Sequence, residues 1–441
     1  MSAPGYPRAM PSRVMRSHDK PLAPTLRTDD VGRAERPLRI LLLSQYFPPE
    51  VGATQSRMQA FAEHLAARGH QVTVICEFPN HPHGVIPREY RGRIYEDDRS
   101  NPYRVLRVWV KASEEKTQRT RMAFYLSYMA LATAMAPIAG RADVVVATTP
   151  PLFTGAAGLA LARLNRAPFV LDVRDLWPAA AVSLDQIPSK AAIGASEVLE
   201  RMLYRQATVV AAVTQPFCEH IDAIRGREPR TVLLPNGTLE LFFVTADPGD
   251  ARERLGARNS QALVTFAGTL GIAQALPSVL DAARLSGDDI RWALVGDGPS
   301  RELLLHGANK RALRNLEFHP QVPLEEMPQL LAASDVLLVT LAAHATFADF
   351  VPSKLIDFMA SGKPVLLAAA GESARLLEAA GAGIAVAPED PQALTDAARW
   401  LIDHPQEAAA MGARGRAFAR NRLRGVQAAR LEALVVELAD C

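Results

Sequence analysis

One segment in the C-terminal third of the chain carries the residue types best suited to binding a phosphorylated ligand. Pro352 is typical of a helix start and Gly362 of a left-handed helix end, so a short helix is expected between them. A helix N-terminus offers unpaired N–H groups and a positive dipole, which favour a phosphate, and Lys354 would place a full charge beside it. Asp357 is expected one turn further on, on the face of Ser353, where its carboxylate would accept hydrogen bonds from two ribose hydroxyls. The segment therefore predicts a nucleotide site.

The same pattern also has a purely structural explanation. An aspartate in the first turns of any helix gains about 0.3–1 kcal/mol from the helix dipole, with no ligand present. Taken alone, the segment leaves both interpretations open.

A second acid, Asp349, precedes Asp357 by eight positions. The whole segment resembles the Pro-Ser-Lys-x-x-Glu-x-Met-Ala-x-Gly-Lys-Pro motif of family 4 glycosyltransferases with the GT-B fold. In that family, the two acids of a Glu-x7-Glu pattern serve the sugar and the ribose of a nucleotide-sugar donor. The resemblance therefore implies that Asp349 is a catalytic residue facing the sugar and that Asp357 binds the ribose. Both positions hold aspartate where the family pattern has glutamate.

Length and composition limit the remaining possibilities. The chain has 441 residues, more than one hydrophobic core usually supports, so two domains are expected. The net charge of +2 disfavours a dedicated nucleic-acid binder. The three cysteines, Cys76, Cys218 and Cys441, are widely spaced, which is typical of a reducing cytosol and predicts no structural metal. Residues 1–36 predict a disordered basic leader, which is either a tether to anionic lipid or an unselected extension.

From residue 37 onward, short apolar runs alternate with helical patterns. The run from Arg39 to Leu43 is typical of a parallel strand buried on both faces. The next loop holds one glycine, Gly52, and no Gly-x-Gly-x-x-Gly fingerprint, so we expect contact with one phosphate or a sugar rather than a wrapped dinucleotide. This opening, Ser-Gln-Tyr-Phe-Pro-Pro-Glu-x-Gly-Ala, resembles the start of family 4 members that extend lipid-linked oligosaccharides of bacterial surface polysaccharides, such as the N-acetylfucosaminyl transferases.

Polar side chains follow other strands of the first half. Arg174 and Asp175 come soon after the run from Phe169 to Asp172, and ligands of open parallel sheets bind at the carboxyl ends of the strands. This motif is similar to the family's Asp-Leu-Trp-Pro, so both residues are candidate catalytic groups, and Asp175 is also expected to contact the acceptor. His81 and His83 are too few ligands for a metal, so they are expected either to shape their loop or to contact the acceptor, and both are candidate acceptor-binding residues.

Residues 122–140 carry no charge and are by length a candidate membrane span. Spanning would put the two halves of one sheet on opposite sides of the bilayer. Because basic residues precede the segment, we expect a helix lying in the cytoplasmic interface, with an ordinary buried helix as the alternative.

The second half begins with glycine-rich loops after apolar strands, and backbone N–H groups of such loops can cradle a diphosphate. The candidates for this donor contact are Gly268, Thr269, Gly271, Gly296 and Gly298. Val322 is expected to contact the base through its backbone. Many family members clamp the diphosphate with an Arg and a Lys after the first of these strands, and both are missing here. The clamp would then rest on backbone, Lys354 and either Arg57 or Arg174 of the other domain; Arg57 is also a candidate acceptor-binding residue.

The sequence therefore predicts an α/β protein of GT-B architecture, with two Rossmann-like, doubly wound parallel-sheet domains facing each other across a cleft. The acceptor domain is expected over residues 37–237 and the nucleotide-sugar domain over residues 261–404. A linker is predicted over residues 238–260, and a C-terminal helix returning to the first domain over residues 405–441.

The resemblance implies a retaining, metal-independent glycosyltransferase without a cofactor, moving a sugar from a UDP-sugar to a lipid-linked saccharide in bacterial surface polysaccharide biosynthesis. The cysteine spacing and the basic flank of residues 122–140 add the expectation of a cytoplasmic protein, peripheral on the inner face of the plasma membrane, that meets donor, acceptor and an anionic membrane surface. The alternative is a nucleotide-binding scaffold protein without transfer activity. A dehydrogenase is disfavoured because the dinucleotide fingerprint is missing.

Overall fold

The computed structural model describes residues 36–440, except residues 82, 116, 180–181, 183–188, 227–230 and 259. The predicted basic leader lies outside the described residues, apart from Arg36.

The first domain is a doubly wound sheet. Its strands are β1 Arg39–Leu43, β2 Gln71–Glu77, β3 Tyr95–Asp98, β4 Arg104–Val108, β5 Val144–Thr149, β6 Phe169–Val173, β7 Val209–Ala212 and β8 Thr231–Leu233. They lie in the order β3-β4-β2-β1-β5-β6-β7-β8, and every pairing is parallel except that of β3 with β4. The helices are α1 Ala53–Ala67, α2 Gln118–Ala134, α3 Ala136–Ala139, α4 Leu152–Asn165, α5 Lys190–Gln206 and α6 Gln215–Arg225. A 3-10 turn covers Arg88–Tyr90.

The second domain repeats this architecture with a smaller, parallel sheet. Its strands are β9 Ala262–Ala267, β10 Ile290–Val295, β11 Leu316–His319, β12 Val336–Thr340, β13 Val365–Ala368 and β14 Gly383–Val386, in the order β11-β10-β9-β12-β13-β14. The helices are α7 Ala251–Arg254, α8 Pro277–Ser286, α9 Arg301–Lys310, α10 Met327–Ala333, α11 Ala345–Ala348, α12 Ser353–Ser361, α13 Glu372–Ala380, α14 Pro391–Asp403, α15 Pro405–Arg420 and α16 Arg424–Ala439. Short 3-10 turns cover Glu240–Phe243, Ile272–Gln274 and Leu324–Glu326.

The sheets form from apolar runs because both of their faces are covered by helices. Residues of β5 and β10, for example, are all buried. The predicted α/β class with two doubly wound parallel sheets is confirmed.

The chain crosses between the domains twice, near Thr238 and near Leu423, and the two crossing segments are hydrogen-bonded to each other. Thr238 forms a parallel bridge with Leu423, and its backbone N–H donates to the carbonyl of Arg422 at 2.8 Å. The predicted linker begins here, but Phe242 and Phe243 within it belong to the apolar core of the second domain. The described linker is therefore largely part of that domain.

The two C-terminal helices belong to different domains. Helix α15 packs against α12 in the second domain, whereas α16 packs against α1 in the first. Leu431, Leu434 and Leu438 of α16 share one buried cluster with strand β1. The return to the first domain thus begins near residue 424, rather than at residue 405 as expected.

The uncharged segment 122–140 forms most of α2 and all of α3. Tyr128 is fully buried, and its hydroxyl donates to the carbonyl of Ile75 at 2.8 Å. Helix α2 packs on α4 and leaves Leu126 exposed. Among the described helices, none has the length and apolar character needed to span a bilayer.

Candidate active site

A cavity of about 380 Å³ lies between the domains, at the carboxyl ends of both sheets. The first domain lines it with aromatic and polar residues, Tyr46, Thr54, Tyr125, Arg174, Asp175 and Trp177. The second domain adds Gln274, Thr346, Phe347 and Phe350. We refer to this space as the cleft cavity. It can hold a sugar-sized group that contacts both domains.

Arg174 and Asp175 directly follow β6 and line the cleft cavity. The guanidinium of Arg174 is held in place because Nε donates to the hydroxyl of Thr148 at 2.7 Å and Nη2 donates to the carbonyl of Pro150 at 3.0 Å. Burial lowers the pKa of Arg174 to about 10, although nearby Asp172 opposes this shift. Burial also raises the pKa of Asp175 to about 6, against the charge of Arg174. The pair offers a fixed cation and a carboxyl that titrates near neutral pH.

Lys354 occupies the first turn of α12 and points beneath the loop that follows β9. Its Nζ lies 3.8 Å from the ring centroid of Phe266. This nitrogen is buried and has no hydrogen-bond partner in the described part of the chain. Burial lowers the pKa of Lys354 to about 7, and Asp357 partly opposes the shift. A buried ammonium without a hydrogen-bond acceptor at a helix N-terminus is suited to receive an anion.

Asp357 lies one turn into α12, next to Lys354 and to Arg424 of α16. Burial raises the pKa of its carboxyl to about 6, and the charge of Arg424, the nearby hydroxyl of Thr238 and the charge of Lys354 oppose this shift. Its Oδ1 is buried and accepts no hydrogen bond from any residue that the structure describes. The vacant acceptor is the atom that a ribose hydroxyl would need.

The glycines in the loops after β9 and β10 allow neighbouring atoms to approach the backbone closely. Gly268 has φ 138°, and a Cβ there would lie 2.5 Å from Nζ of Lys354. A Cβ at Gly296 would collide with the carbonyl of Gly268, and one at Gly298 would lie 2.6 Å from the carbonyl of Leu270. The two loops therefore pack backbone against backbone, and Gly268 leaves room for the lysine. Thr269 is exposed at the tip of the first loop.

Other donor-binding candidates lie around the same helix end. Gly52 is the N-cap of α1, and Ser353 is the first residue of α12 after the N-cap Pro352. Ser353 lines a small cavity with Ala53 of α1. The structure thus brings the N-termini of α1 and α12 together. Gly271 and Val322 are half-buried, and Val322 packs on the second core.

Asp349 ends α11 and is not among the residues that line the cleft cavity. Burial raises the pKa of its carboxyl, and the charges of Arg375 and His220 oppose the shift. Its backbone carbonyl accepts a hydrogen bond from the hydroxyl of Thr214 at 3.0 Å, which joins the two domains. The family's sugar-binding position is thus placed beside an interdomain contact.

Arg57 is committed to a buried ion pair. Its Nη2 lies 2.8 Å from Oδ1 of Asp172, and its Nε donates to Oδ2 of the same carboxylate at 3.2 Å. It also donates to the carbonyls of Leu234 and Pro235, at 2.9 Å each. Asp172 is fully buried and Arg57 nearly so. This arrangement ties α1 to the ends of β6 and β8, away from the cleft cavity.

The two histidines proposed for the acceptor are exposed at the rim of the first domain. The backbone N–H of His81 donates to Oε1 of Glu50 at 2.7 Å, and its ring meets Tyr46 edge-on at a centroid distance of 6.0 Å. His81 is therefore connected to the cleft cavity through Tyr46. His83 has no ring or polar contact within the described residues.

Tyr46, Tyr125, Gln274 and Arg424 are site residues that sequence reasoning missed. Tyr46 follows β1 and Gln274 follows β9, so the strand-end rule could have found both. Arg424 begins the last helix, and only the return of α16 to the domain junction brings it close to Asp357.

Glu96 and Asp97 form surface ion pairs, including Asp97 with Arg104 at 2.8 Å, and Asp98 accepts hydrogen bonds from Ser100. Within the described ranges, no three His, Cys, Asp or Glu side chains are grouped closely enough to hold a metal ion.

Comparison with known proteins identifies both halves of the chain. Residues 52–237 match the model of the glycosyl transferase 4-like domain, and residues 249–418 match that of the glycosyl transferases group 1. The chain is 25% identical over 383 residues to WcaI of Escherichia coli (strain K12), which is provisionally assigned to colanic acid biosynthesis as a glycosyl transferase. That alignment covers 84% of this chain and 93% of the relative.

Two solved structures share the fold. Sucrose-phosphate synthase from Thermosynechococcus elongatus superposes with a TM-score of 0.73 at 19% identity, covering 91% of this chain and 99% of that one. HepE from Anabaena, solved in complex with UDP, superposes with a TM-score of 0.69 at 19% identity, covering 91% of this chain and 100% of that one. The chain therefore belongs to the family 4 glycosyltransferases and has the GT-B fold.

Proposed function

We propose that this glycosyltransferase moves a sugar, with retention of configuration and without a metal, from a UDP-sugar to a lipid-linked saccharide acceptor in bacterial surface polysaccharide biosynthesis. The observation that carries the proposal is the buried ammonium of Lys354, which has no partner among the described residues and lies beneath Gly268 at the N-terminus of α12. A diphosphate placed there would supply the missing hydrogen-bond acceptor and a further negative charge. The name of WcaI supports the pathway, and the UDP complex of HepE supports the nucleotide.

The donor would lie along α12. Its diphosphate would contact Lys354 and the loop at Gly268, and its ribose would donate hydroxyl protons to the vacant Oδ1 of Asp357. The sugar would then enter the cleft cavity, where Phe347 and Phe350 form the wall of the second domain. This order follows from the single helix that carries both Lys354 and Asp357.

Transfer would use charge stabilisation rather than a protein nucleophile. Negative charge that develops on the leaving diphosphate is met by Lys354 and by the N-terminus of α12. The leaving phosphate can accept the proton of the attacking hydroxyl. Arg174 and Asp175 would hold the acceptor opposite the sugar, and closure of the two domains would exclude water that would otherwise hydrolyse the donor.

The acceptor would arrive from a membrane surface beside α2. Tyr125 of this helix lines the cleft cavity, while Leu126 is exposed next to it and Arg119 is exposed at the start of the helix. An apolar and basic helix at the mouth of a cleft is suited to an anionic cytoplasmic leaflet. We therefore propose a peripheral protein on the cytoplasmic face of the plasma membrane.

A nucleotide-binding scaffold without transfer activity is a second candidate. It is favoured by one observation, that Asp349 does not line the cleft cavity. The two candidates differ in turnover and not in nucleotide binding.

The deciding experiment is a transfer assay with the purified protein, bacterial lipid extract and a panel of nucleotide sugars. Transferase activity would appear as sugar mass added to the organic phase with one donor, and Asp357→Ala should abolish the gain. Asp396→Ala, on the exposed face of α14, is the matched control and should transfer normally. Binding of UDP without transfer from any donor would favour the scaffold.

We expect Asp357→Asn to raise the KM for the donor about fivefold. Asparagine keeps one oxygen acceptor but loses the charge, and charge-assisted hydrogen bonds are about twice as strong as neutral ones. Initial rates at varied donor concentration measure the change. An unchanged KM would remove Asp357 from the ribose site.

We expect donor kcat/KM to pass through a maximum between about pH 6 and about pH 7. Donor binding needs Asp357 ionised and Lys354 protonated, and their pKa values are about 6 and about 7. Below the first value the carboxylate is lost, and above the second the ammonium is lost, so kcat/KM falls on both sides. Lys354→Arg should shift the alkaline fall to higher pH because arginine stays charged. If kcat/KM fell at the same alkaline pH in the wild type and in Lys354→Arg, the alkaline fall would not be due to Lys354.

A further inference from the structure

A second cavity, distinct from the cleft cavity, lies where the two domains and both crossings meet. We call it the junction cavity, and its lining includes Ala53, Arg57, Asn236, Ser353, Arg424 and Gln427. Residues of the first domain, the crossing, the second domain and the last helix therefore surround one small space. Its volume is about 10 Å³, which is room for one water-sized particle and not for a whole phosphate group.

The helices around the junction cavity present their positive ends to it. Ala53, Ser353 and Arg424 are the first residues of α1, α12 and α16, and all three line the cavity. These helices contain 15, 9 and 16 residues, so each has a developed dipole. Three converging helix N-termini create a positive potential in the space between them.

The side chains there are donors that lack acceptors. Gln427 is 1% exposed, and its Nε2 has no hydrogen-bond partner in the described chain. Nη1 of Arg430 donates to Oε1 of Gln427 at 3.1 Å, which fixes the amide so that its donor side is the unsatisfied one. Nη1 of Arg424 is likewise buried without a partner among the described groups, while its Nε donates to the carbonyl of Gly237 at 3.1 Å.

The nearby carboxylates do not accept hydrogen bonds from these two unpaired donors. Asp172 is bound by Arg57, and its Oδ2 also accepts from the hydroxyl of Thr148 at 2.9 Å. Asp357 lies close enough to Arg424 to influence its pKa, but Nη1 of Arg424 donates no hydrogen bond to it or to any other described group. A water molecule could accept from Arg424 and Gln427, but it would bring two hydrogens into a field that favours negative charge.

We propose that the junction cavity binds a halide-sized anion, which accepts hydrogen bonds from Arg424 and Gln427 and joins the two domains. The junction cavity has room for one atom of the bound anion. The occupant is therefore either a free halide ion or one oxygen of a donor phosphate. An anion held by both domains and the last helix would stabilise their closed arrangement.

Crystals of the wild-type protein grown or soaked in bromide, without nucleotide, test the proposal directly. An anomalous peak between Arg424 and Gln427 would support it. Retention of that peak after UDP is added would identify a separate halide site, and its loss would identify the position of a phosphate oxygen. Density for water alone at this position would overturn the proposal.

Thermal unfolding supplies a measurement in solution. Tm should be about 2–4 °C higher in sodium chloride than in sodium gluconate of equal ionic strength, because a ligand that binds only the folded protein stabilises it. Gln427→Leu should abolish this difference between the salts even if it changes Tm itself. Gln392→Leu, on the exposed side of α14, should retain it. Equal Tm values for the wild type in the two salts would contradict the proposal.

Discussion

Lys354→Met is expected to lower kcat by about 10- to 100-fold. A charge-assisted hydrogen bond contributes about 1.5–3 kcal/mol, and each 1.36 kcal/mol of lost transition-state stabilisation is about tenfold in rate. Methionine retains an unbranched, apolar side chain that can pack on Phe266, so the substitution removes mainly the charge. Steady-state rates at saturating donor measure the effect.

Stability separates this loss from damage to the fold. The ammonium of Lys354 is buried without a partner among the described residues, so its removal should leave the unfolding midpoint at or above that of the wild type. Lys363→Met is the matched control, because Lys363 lies just after α12 near Asp335 and does not line the cleft cavity. A normal kcat for Lys354→Met would remove Lys354 from the diphosphate site.

Arg57→Met is expected to reduce the free energy of unfolding by about 3–5 kcal/mol. Removing one partner of a buried ion pair leaves the other charge without compensation, and here Asp172 would remain fully buried. The carbonyls of Leu234 and Pro235 would also lose their donors. Urea unfolding, followed by tryptophan fluorescence and circular dichroism, measures the change.

The pair of Arg39 with Asp143 provides the control for this prediction. It has the same residue types at 2.6 Å, but the side chain of Arg39 is 43% exposed. Arg39→Met should therefore cost only about 0–1 kcal/mol. If Arg57→Met kept wild-type stability and instead raised the KM for the acceptor, the acceptor-binding role predicted for Arg57 would hold and the structural role would fail.

Local sequence patterns predicted the central helix well because its limits depend on nearby residues. Pro352 precedes the helix, and Gly362 ends it in the left-handed conformation with φ 82° and ψ 12°. Apolar runs likewise predicted the buried strands, since their covering helices follow from the alternation along the chain.

The remaining features depend on contacts between distant residues. Asp172, the partner of Arg57, lies 115 positions away, and no spacing rule relates the two. The position of Asp349 depends on how α11 packs against the first domain. There Thr214 donates a hydrogen bond to the backbone carbonyl of Asp349, and His220 lies close to it. The helical pattern of residues 405–438 is nearly continuous, so the break between α15 and α16 follows from the pairing of Thr238 with Leu423.

The position of α16 has a consequence for biosynthesis of the protein. Leu431, Leu434 and Leu438 complete the core that contains β1, although they leave the ribosome after the whole of the second domain. The second domain, by contrast, has its sheet and α15 within residues 240–420. Although most of the first domain is synthesised before the second, the second can therefore finish folding before it. Until α16 emerges, the apolar face of α1 stays uncovered, and the growing chain exposes it to chaperones and to other nascent chains.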